Sequence, residues 1–158
     1  MTVRLAGVDD ATQLARMRYA FREGMNPAVE SEAEFVTRCA AWMAQRLRAG
    51  GSWRCWVAAE DGELSGHLWL CLIEKIPNPA PELEQHAYIT NVYVRPVARG
   101  GGTGKALMEA ALAFCEVQRV DSVILWPTEQ SRTLYARHGF RLPEDMMEAV
   151  LDPGRDLH

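Results

Sequence analysis

Val94-Arg95-Pro96-Val97-Ala98-Arg99-Gly100-Gly101-Gly102-Thr103-Gly104-Lys105-Ala106-Leu107 is the stretch that decides the fold of this chain. It joins a run of strand formers, His86 to Val94, to an amphipathic segment from Lys105 to Gln118. In that segment Leu107, Ala110, Ala111 and Phe114 share one helical stripe. Glycine permits positive φ and lets a ligand approach main-chain N–H groups with no Cβ in the way. The first-turn N–H groups of a helix lack intrahelical acceptors, and the helix dipole adds positive character there. Together these features predict a cradle for phosphate. Each glycine at the helix start costs roughly 1 kcal/mol relative to alanine, which a bound anion would offset.

Spacing tests two other phosphate cradles. A P-loop, Gly-x-x-x-x-Gly-Lys-Ser/Thr, counted back from Gly104-Lys105 puts Arg99 at its first glycine and Ala106 at its hydroxyl. A dinucleotide fingerprint, Gly-x-Gly-x-x-Gly, puts Lys105 or Leu107 at its third glycine. Both fail.

Upstream, Val3 to Ala6 reads as a short strand. Asp9 or Asp10 is positioned to cap a helix carrying Leu14, Met17, Ala20 and Phe21. Ser31 and Glu34 have capping-box spacing before a helix with Phe35, Cys39, Trp42, Met43 and Leu47 on its face, stopped by Gly50-Gly51. Trp53 to Ala59 and Leu64 to Ile76 read as strands joined by an Asp61-Gly62 hairpin. Pro77, Pro79 and Pro81 end the second of them in a loop. Downstream, Val123 to Trp126 is a short buried strand and Ser131 to His138 a short helix ended by Gly139. Phe140 to Leu142 and Met147 to Leu151 are expected to pair as closing strands. The fold class is mixed α/β: a mostly antiparallel sheet, flanking helices, and one parallel pair made by the strand–helix–strand unit. With no internal repeat or linker, residues 1–158 are expected to form one domain.

Composition narrows the partners. The 158 residues are 48% hydrophobic and 24% charged, with 17 Lys+Arg against 21 Asp+Glu and a net charge of −4. That balance argues against nucleic acid as the main partner. No apolar run is long enough to span a membrane, and the first residues lack a signal-peptide core. Four cysteines without Cys-x-x-Cys spacing or a nearby His set predict buried thiols and no metal site. A cytoplasmic location is the expectation.

The spacing that does fit is Arg-x-x-Gly-x-Gly, as Arg99, Gly102 and Gly104. With Val94, Pro96 and the helix behind, it resembles the signature of the Gcn5-related N-acetyltransferases (GNAT). Leu134-Tyr135-Ala136-Arg137-His138-Gly139-Phe140 is similar to the family's downstream block, and Ala87 to Val94 to its cradle strand. The likeness covers nearly the whole chain. It implies a sheet with one splayed parallel pair and acetyl-coenzyme A as co-substrate. Transfer would go to a primary amine of a small molecule or peptide by direct attack in a ternary complex. It implies that Arg99, Gly100, Gly101, Gly102, Thr103, Gly104 and Lys105 cradle the pyrophosphate. Main-chain groups of Val92, Tyr93 and Val94 would then meet the thioester arm, with Thr128 and Ser131 also against the coenzyme. Tyr135 matches the tyrosine that points at the coenzyme sulfur.

Where many members carry a glutamate, this chain has Tyr88, so the general base is left among Tyr88, His86, Glu84, Glu82 and Glu74. Acceptor specificity would come from Glu23 to Pro27 and Lys75 to Gln85, where Glu23, Glu82 and Glu84 would suit a cationic amine. The family often forms homodimers, and the sequence leaves that open. Two other functions stay open: an acyl-coenzyme A-binding module without catalysis, and transfer of a longer acyl group.

Overall fold

The computed structural model describes residues 1–48, 50–152 and 154. Two compact units divide the chain, Met1–Leu125 and the segment from Trp126 onward. In the first unit, five strands lie in sequence order: β1 (Thr2–Leu5), β2 (Trp53–Glu60), β3 (Glu63–Glu74), β4 (Gln85–Val94) and β5 (Ser122–Ile124). The first four pair antiparallel, and β4 pairs β5 in parallel. Asp61 (φ 50°) and Gly62 (φ 83°) are both left-handed, the turn that Asp-Gly favours and that matches strand twist.

Helices α1 (Ala11–Glu23) and α2 (Glu32–Leu47) cover one face. Alternation along the strands turns Cys55, Val57 and Trp69 towards them, where Leu14, Ala15, Met17 and Met43 close the core. Each fully buried Leu there contributes roughly 1.5–3 kcal/mol. Helix α3 (Thr103–Val117) packs on the opposite face, with the Phe114 ring 5.3 Å from that of Trp56. Gly66 lets α3 approach the sheet: a Cβ there would lie 3.1 Å from Thr103 Cγ2 and 3.2 Å from Leu107 Cδ1.

Ser31 caps α2 as its spacing predicts. Its Oγ accepts from the Glu34 amide at 3.3 Å, and Glu34 Oε2 accepts from the Ser31 amide at 3.2 Å. Asp10 behaves differently from expectation. It stands at the N-cap of α1, yet its carboxylate turns back to hold Arg4 through both oxygens at 2.8 and 2.9 Å. The Arg4 guanidinium holds the Asp10 carboxyl below its usual range. Trp42, Trp53 and Trp69 form a ring cluster, but Trp42 keeps 39% of its surface exposed.

The second unit holds a 3-10 turn at Glu129–Ser131, helix α4 (Arg132–Arg137) and Gly139 at φ 84°. The closing strands expected at Phe140 to Leu142 and Met147 to Leu151 are not formed; no strand follows β5 among the described residues. The first is cut short by Pro143. The second, Met-Glu-Ala-Val-Leu, lacks the period-two alternation of a half-buried strand.

Candidate functional site

Strand β4 carries the irregularity that builds the site. Tyr93 pairs with His67 but Thr90 pairs with Trp69, so Asn91 and Val92 together face Leu68. This is a β-bulge, and Asn91 occupies the left-handed region at φ 51°. Asparagine tolerates that conformation better than β-branched neighbours do. On the other side, β5 pairs with β4 only from His86 to Tyr88. β5 ends at Ile124, so from Ile89 onward β4 has no ladder partner on that side among the described residues.

Beyond Val94 a 3-10 turn (Pro96–Ala98) leads into the glycines. Gly100 (φ 80°) and Gly102 (φ 83°) are left-handed, and nothing lies within 4 Å of a Cβ built at either. Gly102 is the N-cap of α3, and no side chain caps the first-turn amides. The helix starts at Thr103, two residues before the sequence pattern suggests. Arg99 Nε donates to the Val94 carbonyl at 3.0 Å, tying the turn to the end of β4. Lys105 is exposed, 3.7 Å from Glu109. Thr103 is buried, its Oγ1 3.4 Å from the Ala98 carbonyl, so its backbone rather than its side chain belongs to the cradle.

Of the five candidate bases, His86 and Tyr88 lie at the paired end of β4. His86 Nδ1 is 2.8 Å from Ser122 Oγ and 3.6 Å from Asp121 Oδ2. Five residues, roughly 16 Å of strand, separate it from Asn91. Tyr88 stands three residues before the bulge, opposite Cys71 on one side and Ile124 on the other. Glu82 is engaged with Lys75 at 3.4 Å and with Asn78 at 2.7 Å, away from the bulge in sequence and in strand position. The structure therefore brings Val92, Tyr93, Val94 and the glycine turn together, and holds His86 apart from them.

In the second unit, Thr128 and Ser131 close on each other. Ser131 Oγ accepts from the Thr128 amide at 2.9 Å and lies 2.9 Å from Thr128 Oγ1. Tyr135 is buried, its ring 5.8 Å from Phe140. Burial raises its pKa, and a hydrogen bond with the Ser131 side chain opposes the rise. The hydroxyl therefore stays protonated at neutral pH.

A family model described as the acetyltransferase (GNAT) family matches residues 14–140. The chain belongs to this GNAT family. Solved structures agree. The chain is similar to a GCN5-related N-acetyltransferase from Ralstonia eutropha JMP134, with 30% identity, coverage of 94% of this chain and 97% of that one, and a TM-score of 0.71. A predicted acetyltransferase from Clostridium acetobutylicum, solved with acetyl-CoA, shares the fold at 22% identity and a TM-score of 0.75, covering 95% and 96% of the two chains. A ribosomal-protein-alanine N-acetyltransferase from Brucella melitensis shares it at 19% identity and a TM-score of 0.69, covering 96% and 99%. No curated protein matches the chain.

Three residues of this GNAT domain are not singled out by sequence reasoning. Asn91 makes the bulge; an asparagine inside a run of strand formers is the signal for it. Arg18 donates through Nη1 to Asn91 Oδ1 at 3.1 Å. It follows Leu14 by four and precedes Phe21 by three, so it occupies the core-facing stripe of α1. His67 is fully buried beside Tyr93, and neither ring nitrogen has a hydrogen-bond partner among the described residues. Burial lowers its pKa to about 3. Its signal is faint: a histidine amid an apolar strand. No group of three or more metal-ligating side chains occurs, and no helix is long and apolar enough to cross a membrane, among the described residues.

Proposed function

We propose that this GNAT domain moves the acetyl group of acetyl-coenzyme A to a primary amine of a small molecule or peptide, both bound together. The observation that carries this reading is the continuity of three features: the bulge at Asn91, the end of β4 beyond its β5 pairing and the left-handed glycine turn. The uncapped first-turn amides and the left-handed glycines, which carry no side chain of their own, support a diphosphate at that turn. Acetyl-coenzyme A, when bound, supplies an activated acyl group as a thioester.

The residues divide the work as follows. Main-chain amides from Gly100 to Lys105 hold the diphosphate, with Arg99 bracing the turn. An N–H from Val92 to Val94 donates to the acyl oxygen as that oxygen gains charge. The amine nitrogen's lone pair forms the new C–N bond, the C–S pair leaves on sulfur, and the proton lost by nitrogen is balanced by the one gained at sulfur. Tyr135 gives the sulfur its proton. The ammonium proton leaves to water, and the Tyr88 hydroxyl oxygen, nearer the bulge than His86, accepts a hydrogen bond along that path. Thr128 and Ser131 support the coenzyme arm through the turn they build.

Titration calorimetry with acetyl-coenzyme A, followed by an amine-library screen for acetyl transfer, tests this reading. Saturable heat and turnover on an amine are the expected results. Heat without turnover on any amine would favour a binding module, and no heat would end the proposal. Propionyl- and succinyl-coenzyme A as competitors report the acyl preference.

A further inference from the structure

A cavity of about 290 Å³ opens between α1, the 24–30 loop and the start of α2. Its walls combine the apolar surfaces of Tyr19, Val29 and Phe35 with Arg18, Arg22 and Glu23. It is an open cleft in which apolar and charged side chains share the lining. Of the acidic residues expected to suit a cationic amine, Glu23 lines this cavity. Glu82 belongs to the Lys75 cluster, and Glu30, also at this cavity, is held by Arg38. Two guanidinium groups therefore face one uncommitted carboxylate, that of Glu23.

Arg18 is the inner of the two cations, half-buried, while Arg22 is exposed. Neither forms an ion pair among the described residues. Asn91 Oδ1 gives Arg18 a dipole but no charge. Removing a guanidinium from water without an anionic partner is unfavourable, and both burial and the neighbouring Arg22 charge lower the pKa of Arg18. A planar guanidinium fork matches a carboxylate or phosphate through paired hydrogen bonds. Arg18 reaches from this cavity to the bulge, so an oxyanion seated on it lies beside the main chain where the acyl group is proposed to sit.

The resemblance already places acceptor specificity at this loop; we propose that Arg18, where the cavity meets the bulge, binds a carboxylate or phosphate carried by an acceptor amine with an apolar body. The proposal rests on the transferase reading given above and narrows its substrate class. Arg18 is then a specificity-determining residue, and Arg22 adds to the field at the rim.

Phenylalanine, its aminophosphonate analogue and phenethylamine share a body and differ in the oxyanion. With acetyl-coenzyme A saturating, the expected result is a kcat/KM about 10- to 100-fold higher for an oxyanion-bearing amine than for phenethylamine. The two oxyanion arms separate carboxylate from phosphate. In Arg18→Met that ratio collapses toward one while acetyl-coenzyme A affinity holds. Equal or faster transfer to phenethylamine by the parent, or an equal loss on all three amines in the variant, overturns the proposal. Hydrocinnamate, which has the carboxylate but no amine, gives a readout without chemistry. Calorimetry should show saturable heat in the parent, none in Arg18→Met, and a reduced but present signal in Arg18→Lys, which also serves if the Met variant fails to fold. No hydrocinnamate heat in the parent overturns the proposal whatever the turnover. No acetyl-coenzyme A heat removes the transferase reading instead, and leaves the hydrocinnamate titration to decide whether the anion site exists.

Discussion

Gly102→Ala isolates what the left-handed turn contributes. At φ 83° an L-residue is strained by about 1–2 kcal/mol. No atom lies within 4 Å of the added Cβ, so the cost is conformational and not steric. The free protein has two ways to respond. It can keep the left-handed turn and lose the whole amount in folding stability. Alternatively, it relaxes the turn, loses less stability, and must restore the strained conformation when coenzyme binds. A thermodynamic cycle makes the two losses complementary: the drop in unfolding free energy plus the drop in binding free energy should total about 1–2 kcal/mol. Read wholly in affinity, that is roughly a 5- to 30-fold rise in Kd. Urea denaturation gives the first quantity and calorimetry with acetyl-coenzyme A the second. Gly101→Ala is the control, because Gly101 has no positive φ and its Cβ would meet only the Ala98 carbonyl at 3.8 Å. Its stability should match the parent, so any affinity it loses reports a ligand crossing that point. If Gly102→Ala changes neither stability nor affinity, the left-handed turn is not the conformation that binds, and the cradle argument is refuted.

Three further outcomes are expected. His67 is neutral in the folded protein down to a pKa of about 3, whereas the unfolded chain takes its proton near pH 6.5. The unfolded state therefore binds more protons between those values, and His67 should cost up to about 1.4 kcal/mol of stability per pH unit as pH falls through that window. Urea midpoints against pH should flatten in His67→Phe; an identical slope would clear His67 of the effect. Tyr135→Phe should keep coenzyme affinity and slow transfer by about 10²–10⁴-fold, and unchanged turnover would remove Tyr135 from the chemistry. Ser31→Ala deletes the cap seen at 3.3 Å and should cost about 1 kcal/mol in urea denaturation, where no measurable loss would show the cap to be idle.

Local chemistry made much of this molecule readable in advance. Asp61-Gly62, the Ser31 and Glu34 pair and the glycine turn each specify backbone geometry within a few residues, and each takes the expected form. Features set by distant partners were less readable. Asp10 has the right spacing for a cap, but Arg4, six residues earlier on β1, takes its carboxylate. The bulge depends on β3 pairing across β4, and Arg18 acquires its meaning only when α1 lies over Asn91. His86 sits on the cradle strand in sequence, and its contact with Ser122 places it where β4 and β5 are hydrogen-bonded. The closing strands failed for a local reason that propensity alone had hidden, since neither segment alternates over a useful length.

Asn91 links the two halves of the candidate site through one side chain and one dihedral. A bulge needs a residue that accepts φ 51° without large strain, which glycine, asparagine and aspartate do best. Glycine would give the bend but leave Arg18 without its 3.1 Å acceptor. Aspartate would give the bend and neutralise Arg18, removing the charge that an incoming oxyanion would meet. Asparagine alone among the three orients the guanidinium while leaving its charge uncompensated. On the proposed transferase reading, the irregularity that would free the β4 main chain for an acyl group also positions a cation toward the acceptor. Acyl position and acceptor charge are thereby coupled at a single residue, and a change at Asn91 should perturb both together.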